Sequence, residues 1–194
     1  MMELNHQYWN DRYRENATGW DLSMVSPPLK HYFDQIKNKQ ISILIPGCGN
    51  AYEAEYLLFN GFTNITLVDI SPLLVEKLKL KFFNFHSRLN IICDDFFNID
   101  AHYDLIVEQT FFCALHPDFR NKYVHKMHSL LVSKGKLVGL FFDKEFAVNP
   151  PFGGDKKQYE ELFSEKFRIM TMEPCYNSIA PRAGTELFAV MEKK

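Results

Sequence analysis

Residues 41–71 read ISILIPGCGNAYEAEYLLFNGFTNITLVDIS, and the order of residue types in this stretch decides the fold. The run 41–45 is short and apolar, as a buried strand is. It breaks at Pro46-Gly47-Cys48-Gly49-Asn50, and a helical pattern carrying Ala51, Ala54, Tyr56, Leu57 and Leu58 follows. Gly61 closes that helix, and a second apolar run, 65–69, ends on Asp69. Strand, glycine turn, helix, strand and acid open a parallel sheet that takes an adenosine-type cofactor at its mouth. Gly47 and Gly49 let the backbone approach a nucleoside, and Asp69 can accept from both ribose hydroxyls.

The same residues narrow the cofactor. A dinucleotide turn needs Gly or Ala at its sixth position for close helix packing, and Tyr52 stands there. No lysine follows the glycines, which removes a P-loop. S-adenosylmethionine has no phosphate and needs no anion hole. Its amino acid group and sulfonium suit a Gly-x-Gly turn followed by Asn50 and Glu53. Ser71 and Pro72 open the next helix beside Asp69.

Working outward, residues 5–14 read as a helix, 15–25 as a loop, and Ser26 as the cap of a helix starting at Pro27-Pro28. Strands are expected at 41–45, 65–69, 90–93 and 103–108, with helices at 51–59 and 72–83 between them. Pro117 and Asp118 start a helix to Leu131, Ser133-Lys134-Gly135 turns into a fifth strand, 136–142, and a Pro/Gly loop covers 143–155. A helix at 156–164 precedes two β-like runs, 167–172 and 186–191, which have no helix between them and should pair antiparallel. The expected architecture is α/β, a doubly wound, Rossmann-like, seven-stranded sheet, mostly parallel with a C-terminal antiparallel hairpin, in one domain over 1–194. A chain of 194 residues has no room for the second nucleotide half and substrate domain of a dinucleotide enzyme.

Composition bounds the partners. Hydrophobic content of 46% suits a globular domain, and a net charge of -2 argues against nucleic acid as the main substrate. Cys48, Cys93, Cys113 and Cys175 lack metal-ligand spacing, so no metal is expected and the thiols read as reduced, in a cytoplasmic protein. The start MMELNHQYW has neither a basic nor an apolar region of a signal peptide, and no run is long enough to cross a bilayer. The expected partner is a small-molecule acceptor, and the expected state a monomer or weak homodimer.

Several blocks resemble a known family. Trp9 and Trp20 in YWNDRYRENATGWDL, then ILIPGCGN, LVDISP, TFFCALHPDFRNKY, the Pro150-Pro151-Phe152 segment and SIAPRAGTE look like the thiopurine S-methyltransferase superfamily, nearest its halide and thiol methyltransferase branch. The resemblance covers nearly the whole chain and implies a class I, S-adenosylmethionine-dependent methyltransferase. It implies cofactor contacts for Trp9, Tyr13, Trp20, Gly47, Asp69, Asp95, Phe96 and Gln109, and Gly49 is expected to join them from the glycine turn. Tyr13 stands where the plant halide enzymes have tryptophan, Gln109 where they have tyrosine, and Ala51 where a third glycine is frequent.

The chemistry assigns roles within that frame. Methyl transfer is an in-line displacement, so the protein must align nucleophile and methyl and exclude water. Trp9, Tyr13 and Trp20 precede the first strand and can fold over the cofactor as an aromatic lid, residues 1–25; plain packing on the sheet is the alternative. Asp95 either bonds the adenine amino group, with Phe96 on the ring, or caps a turn. Phe111, Phe112 and Phe152 are expected to wall the acceptor pocket, with one of Phe111 and Phe112 in the core. Arg182 either attracts an anionic acceptor such as a thiolate or halide, or pairs as a loop residue with Glu173 or Glu186. Cys113 reads as a small buried thiol and His116 as a turn residue. Asn149-Pro150-Pro151-Phe152 spells a motif of amino-group methyltransferases, but it follows the fifth strand instead of the fourth. The rival readings are an N-methyltransferase using that segment and a non-catalytic, cofactor-binding regulatory protein.

Overall fold

The computed structural model describes residues 4–194; the first three residues of the expected 1–25 segment lie outside them. Helix α1 (His6–Arg14) and helix α2 (Pro27–Asp34) precede strand β1 (Ile43–Pro46). Then come α3 (Tyr52–Phe59), β2 (Ile65–Asp69), α4 (Pro72–Lys81), β3 (Leu89–Cys93) and β4 (Tyr103–Gln109). The chain ends with α5 (Arg120–Leu130), β5 (Leu131–Phe142), α6 (Lys156–Ser164), β6 (Phe167–Pro174) and β7 (Glu186–Lys193).

The seven strands form one sheet in the order β3-β2-β1-β4-β5-β7-β6. The first five run parallel to one another, while β7 pairs antiparallel with both β5 and β6. The expected hairpin of the last two runs is present, with β7 lying inside and β6 at the edge. Every residue of β1 and β2 is buried because helices cover both faces. Leu44 points into one core with Tyr123, Phe141 and Phe163, whereas Ile43 and Ile45 point into the other with Leu29, Leu57 and Leu74. That alternation is the two-residue period of a strand. The chain builds outward from β1 to β3 and then returns to place β4 on the other side of β1. A crevice therefore opens at the carboxyl ends of β1 and β4, where open parallel sheets bind ligands.

Local departures have physical causes. Ser26 does not cap α2 with its side chain; it is buried, and its N–H donates 3.0 Å to the Glu53 carboxylate. The helix expected from Pro117 begins as a 3-10 turn, Pro117–Phe119, and becomes α-helical at Arg120. The expected turn at 133–135 is an excursion within β5: Tyr103 pairs with Leu131 and Leu105 already with Lys136, with Lys134 at φ +62°. The helix expected over 72–83 ends at Lys81 and is followed by a 3-10 turn, Phe83–Phe85. Among the described residues, no helix is long and apolar enough to cross a membrane.

Candidate active site

The turn after β1 is left-handed at three alternate positions: Gly47 (φ +55°), Gly49 (φ +53°) and Ala51 (φ +56°). At Gly47 the glycine is required twice. Apart from its φ, a Cβ there would lie 2.3 Å from Cδ2 of Phe111. Asp69 ends β2 beside this turn. Its Oδ1 accepts the Ser71 N–H at 2.9 Å and its Oδ2 the Gly49 N–H at 3.4 Å. Burial outweighs these bonds and pushes its pKa up to about 6.

A cavity of about 1030 Å³ opens over Asp69, the glycine turn and the end of β4. Ligand pockets span roughly 300–1,000 Å³, so this one has room for a nucleoside cofactor and a second small molecule. Asn5, Tyr8, Trp9, Arg12 and Tyr13 all line it. Their spacing is i, i+3, i+4, i+7, i+8, the apolar-stripe spacing of a helix packed on a core; here the stripe faces the cavity. Trp20 closes the cluster, with ring centres 5.5 Å from Trp9 and 5.8 Å from Tyr13, both edge-on. Burial and the Asp69 charge push the Tyr13 phenol up, so it stays protonated.

The segment above the cavity is tied down at separate points. Asn10 Oδ1 accepts from Ser71 Oγ at 2.5 Å and from the Leu73 N–H at 3.2 Å. Asn50 donates to Asp21, and Arg182 Nη2 donates to the Trp20 carbonyl at 2.8 Å.

Of the residues singled out from sequence, Trp9, Tyr13, Trp20, Gly47, Asp69, Asp95, Phe96, Phe111 and Arg182 line this one cavity. Asp95 Oδ1 also caps the 3-10 turn Phe96–Asn98 through the Phe97 N–H at 2.9 Å, so the capping alternative holds for one of its oxygens. Gly49 and Gln109 line an adjoining recess of about 40 Å³ with Asp21, Asn50 and Glu53; the recess shares Trp20, Gly47 and Thr110 with the cavity. Both amide atoms of Gln109 are buried there without a partner. Two of the expected pocket walls, Phe112 and Phe152, are corrected, and the one phenylalanine of the 111–112 pair expected in the core is Phe112. Phe112 is core, packed on Tyr123 at 5.0 Å and Phe141 at 5.4 Å, because the turn after β4 sends successive rings to opposite sides. Phe152 stacks edge-on on His116 at 5.3 Å and leaves the cavity wall to Pro150 and Pro151.

Arg182 is 8% exposed; its Nη1 meets Glu186 at 3.2 Å and its guanidinium lies 5.4 Å from the Phe142 ring centre. The pairing with Glu186 expected for a loop residue is present, but in the interior and at the cavity wall. Arg12 was missed. It lines the cavity, its Nε is buried without a partner, and it makes no ion pair among the described residues. Its place on the stripe of the expected helix 5–14 was the signal. Glu108 was also missed: it is fully buried, accepts from the Phe111 and Phe112 N–H groups and the Tyr123 hydroxyl, and burial pushes its pKa up to about 7.

Comparison with known proteins identifies the family. A probable thiol methyltransferase 2 of Arabidopsis thaliana is 28% identical over 192 residues, covering 96% of this chain and 84% of that protein. A thiopurine S-methyltransferase of Acinetobacter baylyi is 23% identical, covering 88% of each chain. The fold matches a Burkholderia thailandensis N1-methyltransferase crystallised with S-adenosylhomocysteine, with a TM-score of 0.79, 18% identity, and 97% of this chain and 87% of that one covered. The family profile described as thiopurine S-methyltransferase (TPMT) matches residues 4–193. The chain therefore belongs to the thiopurine S-methyltransferase family and is an S-adenosylmethionine-dependent methyltransferase.

Proposed function

We propose that the protein transfers the methyl group of S-adenosylmethionine to the sulfur of a small thiol or similar soft anion. The observation that carries this reading is the division of the single cavity. We assign the cofactor end to the acids and aromatic ring of the lining, Asp69, Asp95 and Phe96, and the acceptor end to Phe111, Ala114, Leu115, Pro150 and Pro151; Arg12, Arg182, Lys122 and Lys144 are the cations that line the cavity. In this reading Asp69 accepts from the ribose hydroxyls, Asp95 from the adenine amino group, and Phe96 packs on the ring. Trp9, Tyr13 and Trp20 face the sulfonium.

The acceptor end suits a polarisable nucleophile that desolvates cheaply. A free thiol has a pKa near ~8.5, so some thiolate exists at neutral pH without a strong base. Of the candidate bases at that end, His116 is engaged by Asp118, with Nδ1 3.3 Å from its backbone N–H, and the Cys113 thiol is pushed well up by burial. The thiol and thiocyanate methyltransferases among the relatives support the same acceptor class. The amino-group reading needs the Asn149 amide beside the methyl group. Asn149 is exposed after β5 and does not line the cavity. We place the protein in the cytosol, as a monomer or weak dimer; its four unbridged cysteines suit a reducing compartment.

The reading is tested with an acceptor that carries both a thiol and a primary amine. Mass spectrometry of the product is expected to show methyl on sulfur. Methyl on nitrogen alone overturns the proposal and favours the amino-group reading.

A further inference from the structure

We propose that Glu108 is a positioning residue for methyl transfer: it fixes the turn 110–112 so that the Phe111 ring stands between the glycine turn and the acceptor end of the cavity. The assignment rests on the methyl-transfer reading, since it explains how one wall of that site is held.

Glu108 is fully buried at the end of β4, yet no cation pairs with it among the described residues. All its partners are neutral donors. Oε1 accepts the Phe111 N–H at 2.7 Å and the Phe112 N–H at 2.9 Å, and Oε2 accepts the Tyr123 hydroxyl at 2.6 Å. A buried carboxylate is a costly way to stabilise a core, and a neutral or apolar residue would serve stability better. What the carboxylate supplies is a single oxygen that gathers two consecutive N–H groups. Those groups belong to a turn that needs holding. Thr110 is β-branched and sits at φ +61°, a left-handed conformation that such residues avoid. The Phe111 and Phe112 N–H groups also open the 3-10 turn Phe112–Ala114 and have no partner within it.

The consequence is the place of one ring. Phe111 fills the space that a side chain at Gly47 would take and meets Phe96 with ring centres 5.2 Å apart. It therefore touches the cofactor turn and the cofactor end while walling the acceptor end. The neighbouring strand makes room for the device: Gly139 pairs with Glu108 across β4 and β5, and a Cβ there would lie 2.3 Å from the Glu108 Cβ. Glu108 itself does not line the cavity, so it acts through the turn and not as a base. The titratable groups facing it are Tyr123 from α5 and Cys113 from the turn after β4.

Two substitutions and one exchange measurement test this. Glu108→Gln keeps an acceptor for both N–H groups and offers its amide to the Tyr123 oxygen; Glu108→Met keeps the length and removes the acceptor. With a thiol acceptor, Glu108→Gln is expected to stay within about threefold of wild-type kcat/KM, with an unchanged pH profile. Glu108→Met is expected to lose about tenfold or more, chiefly in kcat, while S-adenosylhomocysteine affinity stays within about threefold. A folded Glu108→Met enzyme with wild-type kcat/KM overturns the proposal, as does a loss beyond about 100-fold in Glu108→Gln, which would mark a base. Hydrogen exchange on the wild-type protein decides independently of activity and of whether Glu108→Met folds. The Phe111 and Phe112 amides are expected to be protected like those of β4, and exchange at exposed-loop rates contradicts the assignment. If wild type methylates no thiol while these amides are protected, the methyl-acceptor reading fails and the Glu108 device stands.

Discussion

At the scale of single residues, the site is organised around charges held in awkward places. Asp69 pays a desolvation cost in the free protein that ribose hydroxyls would offset, since they donate to the ionised form. With its pKa up at about 6, the carboxyl is largely protonated at pH 5 and ionised at pH 7. S-adenosylhomocysteine affinity should thus rise between those pH values, by about tenfold, and level off above them. Calorimetry across the range checks this, and Asp69→Ala should lose both the pH dependence and on the order of 2–4 kcal/mol of binding. An affinity independent of both pH and the substitution would remove Asp69 from the cofactor. The two arginines should separate as well. Arg12→Met removes a guanidinium that has no ion pair among the described residues, so it should raise KM for anionic acceptors with little change in Tm. Arg182→Met strands the buried Glu186 and releases the Trp20 carbonyl, so it should cost about 3–5 kcal/mol of stability, much of it recovered by adding Glu186→Gln. Thermal melts of the three variants, read beside initial rates, distinguish a binding role from a structural one.

At the scale of elements, α1 is the unusual piece, because its packing stripe faces a cavity. Cofactor should complete that packing. Hydrogen exchange in residues 4–25 is expected to slow more on S-adenosylhomocysteine binding than in β1 or β4. The ties through Asn10, Asp21 and Trp20 predict that the slowing is greatest between them, around Tyr13. Equal protection with and without cofactor would make the segment a fixed wall and not a lid. The elements were largely legible in the sequence because each carried its own local signal. Run length gave β1 and β2, Ser71-Pro72 gave the start of α4, and the missing helix between the last two runs gave the antiparallel β7. What was illegible depended on contacts distant along the chain. Ser26 stands at the N-cap of α2 without a side-chain cap bond, and its N–H donates instead to Glu53, 27 positions away. Phe111 and Phe112 are indistinguishable by type, and it is the turn at the left-handed Thr110, held by Glu108, that puts one ring at the cavity and the other in the core. Phe152 packs edge-on on His116 and does not line the cavity, a pairing that spacing cannot reveal.

At the scale of the whole molecule, function and stability pull against each other. Asp69 and Glu108 both bind a proton more readily folded than unfolded, since burial raises their pKa values to about 6 and about 7. Between their unfolded values near ~4 and these folded values, the native state holds more protons than the unfolded one, so unfolding free energy should fall as pH rises. The fall should continue through pH ~7 and flatten above pH ~8, because each group loses stability until the pH passes its folded pKa. Urea titrations from pH 4.5 to 8 check the slope, and Glu108→Gln should reduce it. The fold tolerates this cost because the switch point between β1 and β4 gathers the glycine turn, Asp69 and the Phe111 turn at one mouth. The central claim is that this mouth delivers a methyl group to sulfur. It is tested most directly by initial rates of S-adenosylhomocysteine formation with matched thiols and amines at saturating S-adenosylmethionine. The account predicts turnover of thiols, rising with the thiolate fraction, and little turnover of amines of the same size. Efficient methylation of amines with none of thiols would contradict it.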